Sequence, residues 1–263
     1  MDVIQALILG IIQGLTEFLP VSSSGHLEIG KVLLGVDVEE SLSFSVAVHG
    51  ATVLSTIVVF WKDIVALIKG FFKFRWNEET KFIALIAVSM IPVGIVGVFF
   101  KDSVESLFSG KILLVGFMLL VTAILLTLAT VIKRKRETDI TFRDALIIGV
   151  AQAIAVIPGI SRSGATIATG LMLGKRRPEV ARFSFLMVLI PILGANFLDI
   201  MSGSFSSEAG AGVLPIFVGF ISAFVVGVFA CKIMIKLINQ NRLIWFALYC
   251  VVVATIAIVS FIL

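Results

Sequence analysis

The stretch ALILGIIQGLTEFLPVSSSGH, beginning at Ala6, returns 139 residues later as ALIIGVAQAIAVIPGISRSGA, beginning at Ala145. Ala6, Leu7, Ile8, Gly10, Gln13, Ser22, Ser24 and Gly25 meet Ala145, Leu146, Ile147, Gly149, Gln152, Ser161, Ser163 and Gly164 in this register. Further on, Gly35 meets Gly174, Glu40 meets Glu179, and Phe44–Ser45 meets Phe183–Ser184. Shared greasiness does not produce matches at Gln, Ser and Gly, so the chain reads as two copies of one unit. Each copy opens with an apolar run broken in its middle by Pro, Gly and Ser, and few folds accommodate that twice.

The rest of the chain narrows the choice. Hydrophobic residues make up 59% and charged residues 14% of the 263 positions, far from soluble globular usage, which points to a polytopic membrane protein. The apolar runs are continuous, where a barrel would alternate, so helices are the expected spanning element. Six segments are long enough to span: 44–61, 82–100, 112–132, 183–200, 213–231 and 243–262. The two broken regions, 3–35 and 142–175, each read as two helices of about fourteen residues, or roughly 21 Å, against a hydrocarbon core of roughly 30 Å. They are expected to dip into the membrane and return, as re-entrant hairpins. Non-helical backbone survives at that depth only where protein or a polar cavity surrounds it. One hairpin plus three spans is an odd number of crossings, so the second copy enters upside down, with the broken helices face to face near the midplane. The expected fold is therefore all-α and polytopic, one membrane domain over 1–263. It comprises two inverted-topology repeats, 1–132 and 141–263, joined by a cytoplasmic linker, 133–140.

Charge orients this arrangement. Of 21 Lys and Arg, 17 fall in the loops 62–81, 133–144, 175–182 and 232–242. The opposite side has only Lys31, Lys101 and Lys111, and Arg162 belongs to the second broken loop. The positive-inside rule makes the first set cytoplasmic, leaving both termini and the mouth of the first hairpin outside. The net charge of +4 is thus a matter of topology and not a nucleic-acid footprint. Cys231 and Cys250 lie in apolar runs, which implies neither a disulfide framework nor a CxxC metal site. The opening MDVIQALILG has Asp2 and no early basic residue, so it does not read as a cleaved signal peptide.

The chemistry concentrates in the two breaks. Gln13 and Glu17 are four apart and share a helix face. A carboxylate inside a membrane hairpin is a functional hypothesis by default; the alternatives are a phosphate or metal site, or a structural pair with Arg162. SSSGH and SRSGAT each place serines before a helix, where free N–H groups and partial positive charge favour anions. Arg162 adds a guanidinium whose fork matches phosphate oxygens. Between the copies, Glu17 becomes Val156, Ser23 becomes Arg162, and His26 becomes Ala165. One loop holds the titratable groups and the other the fixed cation, which suits a phosphate or pyrophosphate ligand.

These residues carry a resemblance. QGLTEFLPVSSSGH and PGISRSGAT are similar to the two signature regions of the undecaprenyl-pyrophosphate phosphatase family of the bacitracin-resistance type, (E/Q)xxxE and PGxSRSxxT. The resemblance extends over essentially the whole chain in length, repeat and hydropathy. It implies a multi-pass enzyme of the bacterial inner membrane. Such an enzyme removes the terminal phosphate of a C55 polyprenyl pyrophosphate with a divalent cation, Mg²⁺ or Ca²⁺, at the outer face. The undecaprenyl phosphate so formed is the lipid carrier for cell-wall precursors, and its recycling gives bacitracin resistance. Matched residue by residue, Glu17 is the essential acid, as metal ligand or base. His26 is the catalytic histidine and Ser23 the nucleophile or phosphate ligand, while Arg162 clamps the phosphate. Gln13, Ser22, Ser24, Gly25, Ser161, Ser163, Gly164 and Thr166 complete the substrate site. Gln13 stands where some members have Glu, so the helix offers one carboxylate and not two. Ser23, His26 and water all remain open as the attacking group.

A lipid-phosphate flippase or transporter is the competing reading, because inverted repeats with broken helices also build transporters. The partners are the polyprenyl pyrophosphate and the bilayer, no nucleic acid is expected, and a homodimer is left open. His49, in VAVHGAT, is expected to be a satisfied polar group of the bundle. Gln152 is expected to bond backbone within its hairpin, and Asp199 to be solvated near a span end. The KRKR run at 133–136 reads as a topology determinant, and Trp61, Trp76 and Trp245 as interfacial anchors.

Overall fold

The computed structural model describes residues 1–36, 42–100, 112–132, 137–201 and 212–262. Among them are 11 helices and, apart from one bridge between Thr138 and Lys175, no β-pairing. Glu40, Lys101, Lys111 and the KRKR run lie outside the described residues, as does the side chain of Asp199.

Both broken regions fold as helix–turn–helix. In the first copy, α1 (Val3–Thr16) leads to α2 (Ser23–Leu34); in the second, α7 (Phe142–Ile154) leads to α8 (Arg162–Met172). Lengths of 14, 12, 13 and 11 residues are too short to span. The copies share their local devices as well as their sequence. α1 and α7 each open with a capping box, Asp2 with Gln5 and Thr141 with Asp144. α2 and α8 are capped by Ser22 and Ser161, whose hydroxyls accept from the amides of Gly25 (3.4 Å) and Gly164 (3.0 Å). Gly35 and Gly174, again 139 apart, turn the chain in left-handed conformations (φ 64° and 77°) as α2 and α8 end.

Between the hairpins run α3 (Leu42–Val59), α4 (Trp61–Phe71), α5 (Glu78–Phe99) and α6 (Ile112–Val131). After the second hairpin come α9 (Arg177–Met201), α10 (Val213–Asn239) and α11 (Ile244–Ile262). α5, α6, α9 and α10 are each long and apolar enough to cross a membrane. The expected span 44–61 differs: α3 meets that measure only together with α4, to which it is bent by 75°. α11, with 19 residues, occupies the last expected span, 243–262. Apolar composition continues through Phe60 and Trp61, but helical backbone does not: Phe60, with φ −98° and ψ 18°, ends one helix and starts the next. α4 occupies what the sequence presents as a plain basic loop over 62–81. Trp61, Trp76 and Trp245 lie at or beside helix ends and are 59%, 69% and 66% exposed, as interfacial anchors would be.

The hairpins pack backbone to backbone against the long helices. α1 lies along α10, and its copy α7 lies along α5. α6 lies along α11, and α3 crosses α9. A Cβ at Gly10 would come within 2.4 Å of the Gly219 carbonyl; at the matching Gly149 it would come within 2.3 Å of the Ser89 carbonyl. Small residues at these crossings allow the contact that holds apolar helices together in lipid. Gly149→Ala should therefore lower the Tm measurably, since the clash is with main chain and cannot be relieved by a rotamer; overpacking of this kind costs about 1–3 kcal/mol. Gly94→Ala, whose Cβ meets nothing within 4 Å, is the control and should leave the Tm unchanged or raise it. Equal Tm values for the two variants would contradict the packing.

At the face where α7 begins, Lys175 ties the second hairpin down. Its Nζ lies 2.7 Å from Asp144 Oδ2 and donates to Thr138 Oγ1 (3.0 Å) and the Asp139 carbonyl (3.2 Å). Both charges are largely buried, and each leaves the other paired.

Candidate active site

The turn after α1 and the start of α2 fold around one carboxylate. Glu17 caps α1, its N–H bonded to the Gln13 carbonyl at 3.0 Å, and its side chain is 8% exposed. Oε2 accepts from Gln13 Nε2 (2.9 Å) and Ser23 Oγ (2.7 Å). Arg162 Nη2 lies 3.6 Å from Oε1, and His49 Nε2 lies 3.9 Å from Oε2. Ser23 and Arg162 are the same position in the two copies, and each is the first residue of its helix. Both reach the same carboxylate, so the repeat closes on Glu17.

The first turns of α2 and α8 thus converge on a cavity of about 210 Å³, the scale of a headgroup and not of a whole lipid. Its polar lining is Thr16, Glu17, Ser22, Ser23, Ser24, His49, Thr52, Thr56, Ser161, Arg162 and Ser163; Phe18, Phe185, Val188, Leu189 and Ile192 form an apolar wall. Ser22 and Ser24 hydroxyls lie 3.3 Å apart, as do those of Ser161 and Ser163. The turn into α8 is set by Gly159 (φ 97°), where a Cβ would come within 2.6 Å of the Val115 carbonyl on α6. Thr122, also on α6, accepts from the Ser161 amide (3.1 Å) and donates to the Gly159 carbonyl (3.2 Å). Of the two serine caps, Ser22 has the unusual backbone: φ 67° and ψ 96°, against φ −75° and ψ 119° at Ser161. A left-handed conformation at a residue other than glycine costs about 1–3 kcal/mol and persists only where neighbours enforce it.

Most of the residues singled out in sequence come together here, with six differences. His26 does not line the cavity: its ring bonds the Ser22 carbonyl (2.9 Å) and Tyr249 Oη (2.9 Å). Thr166 also turns away, its hydroxyl bonding the Arg162 and Ser163 carbonyls of its own helix. His49 is only half satisfied within the bundle. Its Nδ1 bonds the Ser45 carbonyl (2.8 Å), but Nε2 faces Glu17. The available signal was the default that a titratable residue within a span is functional. Gln152 does not bond backbone; its Nε2 lies 3.9 Å from Met90 Sδ and its Oε1 is buried without a partner. Gly25 and Gly164 contribute amides to the serine caps and do not line this cavity.

The donor set can also be tested against a divalent cation. Mg²⁺ and Ca²⁺ ask for several oxygen ligands. Here one carboxylate already faces two hydrogen-bond donors, a guanidinium and an imidazole, and the spare oxygen beside it is Gln13 Oε1, buried without a partner. Among the described residues no group of three or more His, Cys, Asp or Glu could hold a metal ion. The described side chains around Glu17 do not by themselves supply the oxygen set that a resident divalent cation asks for.

Comparison with known proteins gives the family of the chain. The family described as "Bacitracin resistance protein BacA" matches residues 6–256. The chain belongs to the BacA family. Among its BacA relatives, an undecaprenyl-diphosphatase of Bacteroides fragilis is 54% identical over 262 residues, covering 98% of each chain. One of Parabacteroides distasonis is 54% identical over 257 residues, covering 97% of this chain and 96% of its own. A third, from Methanosphaera stadtmanae, is 41% identical over 276 residues and covers 98% of each.

Proposed function

We propose that this protein is a membrane phosphatase that hydrolyses undecaprenyl pyrophosphate to undecaprenyl phosphate and inorganic phosphate. The observation that carries the reading is the meeting of Ser23 and Arg162 on Glu17, in a cavity of headgroup size and in a chain of the BacA family. Phosphoryl transfer is mostly positioning and charge neutralisation, and Arg162 with two helix N-termini supplies both. Ser23 Oγ attacks the terminal phosphorus and passes its proton to Glu17, to which it already donates. The bond from phosphorus to the bridging oxygen breaks, undecaprenyl phosphate leaves, and water then cleaves the phosphoserine to release phosphate. A divalent cation, Mg²⁺ or Ca²⁺, would come with the pyrophosphate as part of the substrate and would supply charge neutralisation there. The test is purified protein in detergent with polyprenyl pyrophosphate and Mg²⁺. Phosphate should be released by the wild-type chain and not by Ser23→Ala. Wild-type protein that releases none would rule out the activity, and an active Ser23→Ala would transfer the attack to water.

The pairing of α1 with α10 and of its copy α7 with α5 supports two inverted repeats, 1–132 and 141–263, linked by 133–140. With 17 basic residues on one side, the first hairpin opens outward and the headgroup is hydrolysed at the outer leaflet. Phe205 and Lys135, on opposite sides in this topology, lie outside the described residues; Gly212 and Glu78 serve as described and exposed alternatives. In a chain lacking Cys231 and Cys250, Gly212→Cys should react in intact cells with a membrane-impermeant thiol reagent, and Glu78→Cys should not. The reverse pattern would move the chemistry to the cytoplasmic leaflet.

A further inference from the structure

We propose that His26 is a positioning residue, which holds the Ser22 carbonyl so that Ser23 faces Glu17, and that it neither touches substrate nor transfers a proton. This rests on Ser23 and Glu17 acting as proposed above. Three observations carry it. First, both ring nitrogens are occupied away from the cavity. A carbonyl only accepts, so Nδ1 carries the proton given to the Ser22 oxygen at 2.9 Å. Nε2 is then the acceptor for the Tyr249 hydroxyl at 2.9 Å. Second, the two rings stack with centroids 5.5 Å apart and planes 14° apart, which fixes the imidazole between α2 and α11. Tyr249 is the one tyrosine of the chain.

The third observation is the comparison between the copies. Ser22 and Ser161 occupy the same position and make the same cap, yet only Ser22 has left-handed backbone. Where Ser22 has His26 four residues on, Ser161 has Ala165, which bonds the Ser161 carbonyl through its amide alone (2.8 Å). The Ser22 carbonyl accepts both the His26 amide (3.2 Å) and the His26 ring. The extra donor therefore occurs in the copy whose backbone needs holding. There the next residue, Ser23, must direct its hydroxyl to Glu17 at 2.7 Å.

Asparagine and glutamine separate this role from acid–base chemistry. An Asn amide nitrogen can stand where Nδ1 stands and donate to the Ser22 carbonyl, whereas a Gln amide reaches beyond it, and neither transfers a proton as imidazole does. In detergent-purified full-length protein, His26→Asn should keep kcat within about threefold of wild type. His26→Ala and His26→Gln should lose about tenfold or more in kcat with KM nearly unchanged. A His26→Asn variant as inactive as His26→Ala at equal Tm would overturn the proposal, as would full activity in all three. A measurement on the wild-type chain needs no variant to fold. The chain has two histidines, so ¹⁵N-histidine labelling gives two imidazoles to assign. The His26 ring should be the Nδ1–H tautomer and stay so when inorganic pyrophosphate is added. An Nε2–H ring, or a change of protonation on addition, would refute the assignment. If Ser23→Ala were fully active, the nucleophile would be wrong while the tautomer result still decided how the ring is held.

Discussion

Glu17→Gln should lower kcat by about 10²–10⁴-fold, the range expected when a positioned general base is removed, and Glu17→Ala should do no better. The carboxylate is the group on which everything in the cavity converges: the Ser23 hydroxyl at 2.7 Å, the Gln13 amide at 2.9 Å, and the Arg162 and His49 nitrogens beyond them. A glutamine keeps the shape and can still accept one hydrogen bond, but it takes up no proton from Ser23 and leaves Arg162 without its counter-charge. Folding should survive, because the Arg162 side chain is 28% exposed to the cavity and is not sealed in lipid. Gln13→Ala removes one neutral donor from the same oxygen and should be milder, about tenfold or less. Phosphate release in detergent measures all three. A Glu17→Gln enzyme with near-normal kcat would remove Glu17 from the mechanism.

Arg162→Lys should behave as a loss and not as a conservative change, with kcat/KM falling at least about tenfold, or roughly 1.4 kcal/mol of transition-state stabilisation. Arg162 starts α8, so its guanidinium and the free amides of that first turn approach a phosphate from the same direction. One nitrogen faces Glu17, and the fork's other donors are those that a bidentate phosphate contact would use. A lysine keeps the charge but is a single point of contact. The Tm should be nearly unchanged, which separates lost chemistry from lost fold. A lysine enzyme equal to wild type would mean that the cavity needs positive potential alone.

The units of this protein were legible along the chain. Hydropathy, the offset of 139 and the Pro, Gly and Ser breaks are local or periodic signals, and they placed both hairpins, their serine caps and the approach of Ser23, Glu17 and Arg162. A repeat whose copies face each other brings equivalent positions together without any knowledge of packing. Which histidine enters the site depends on contacts far apart in the chain. Ser23 and His26 are three apart and share a helix face, yet the cavity lies at the helix start, and one turn on, roughly 4.5 Å along the axis, a side chain has passed its rim. His26 meets Tyr249, 223 residues away, while His49 comes in from α3 because that helix crosses α9 beside the hairpins. The helix beyond Phe60 was equally hidden: the span reads as ending at 61 and five basic residues make 62–81 read as a loop, and only the folded chain shows that its first part is a helix bent by 75° from α3.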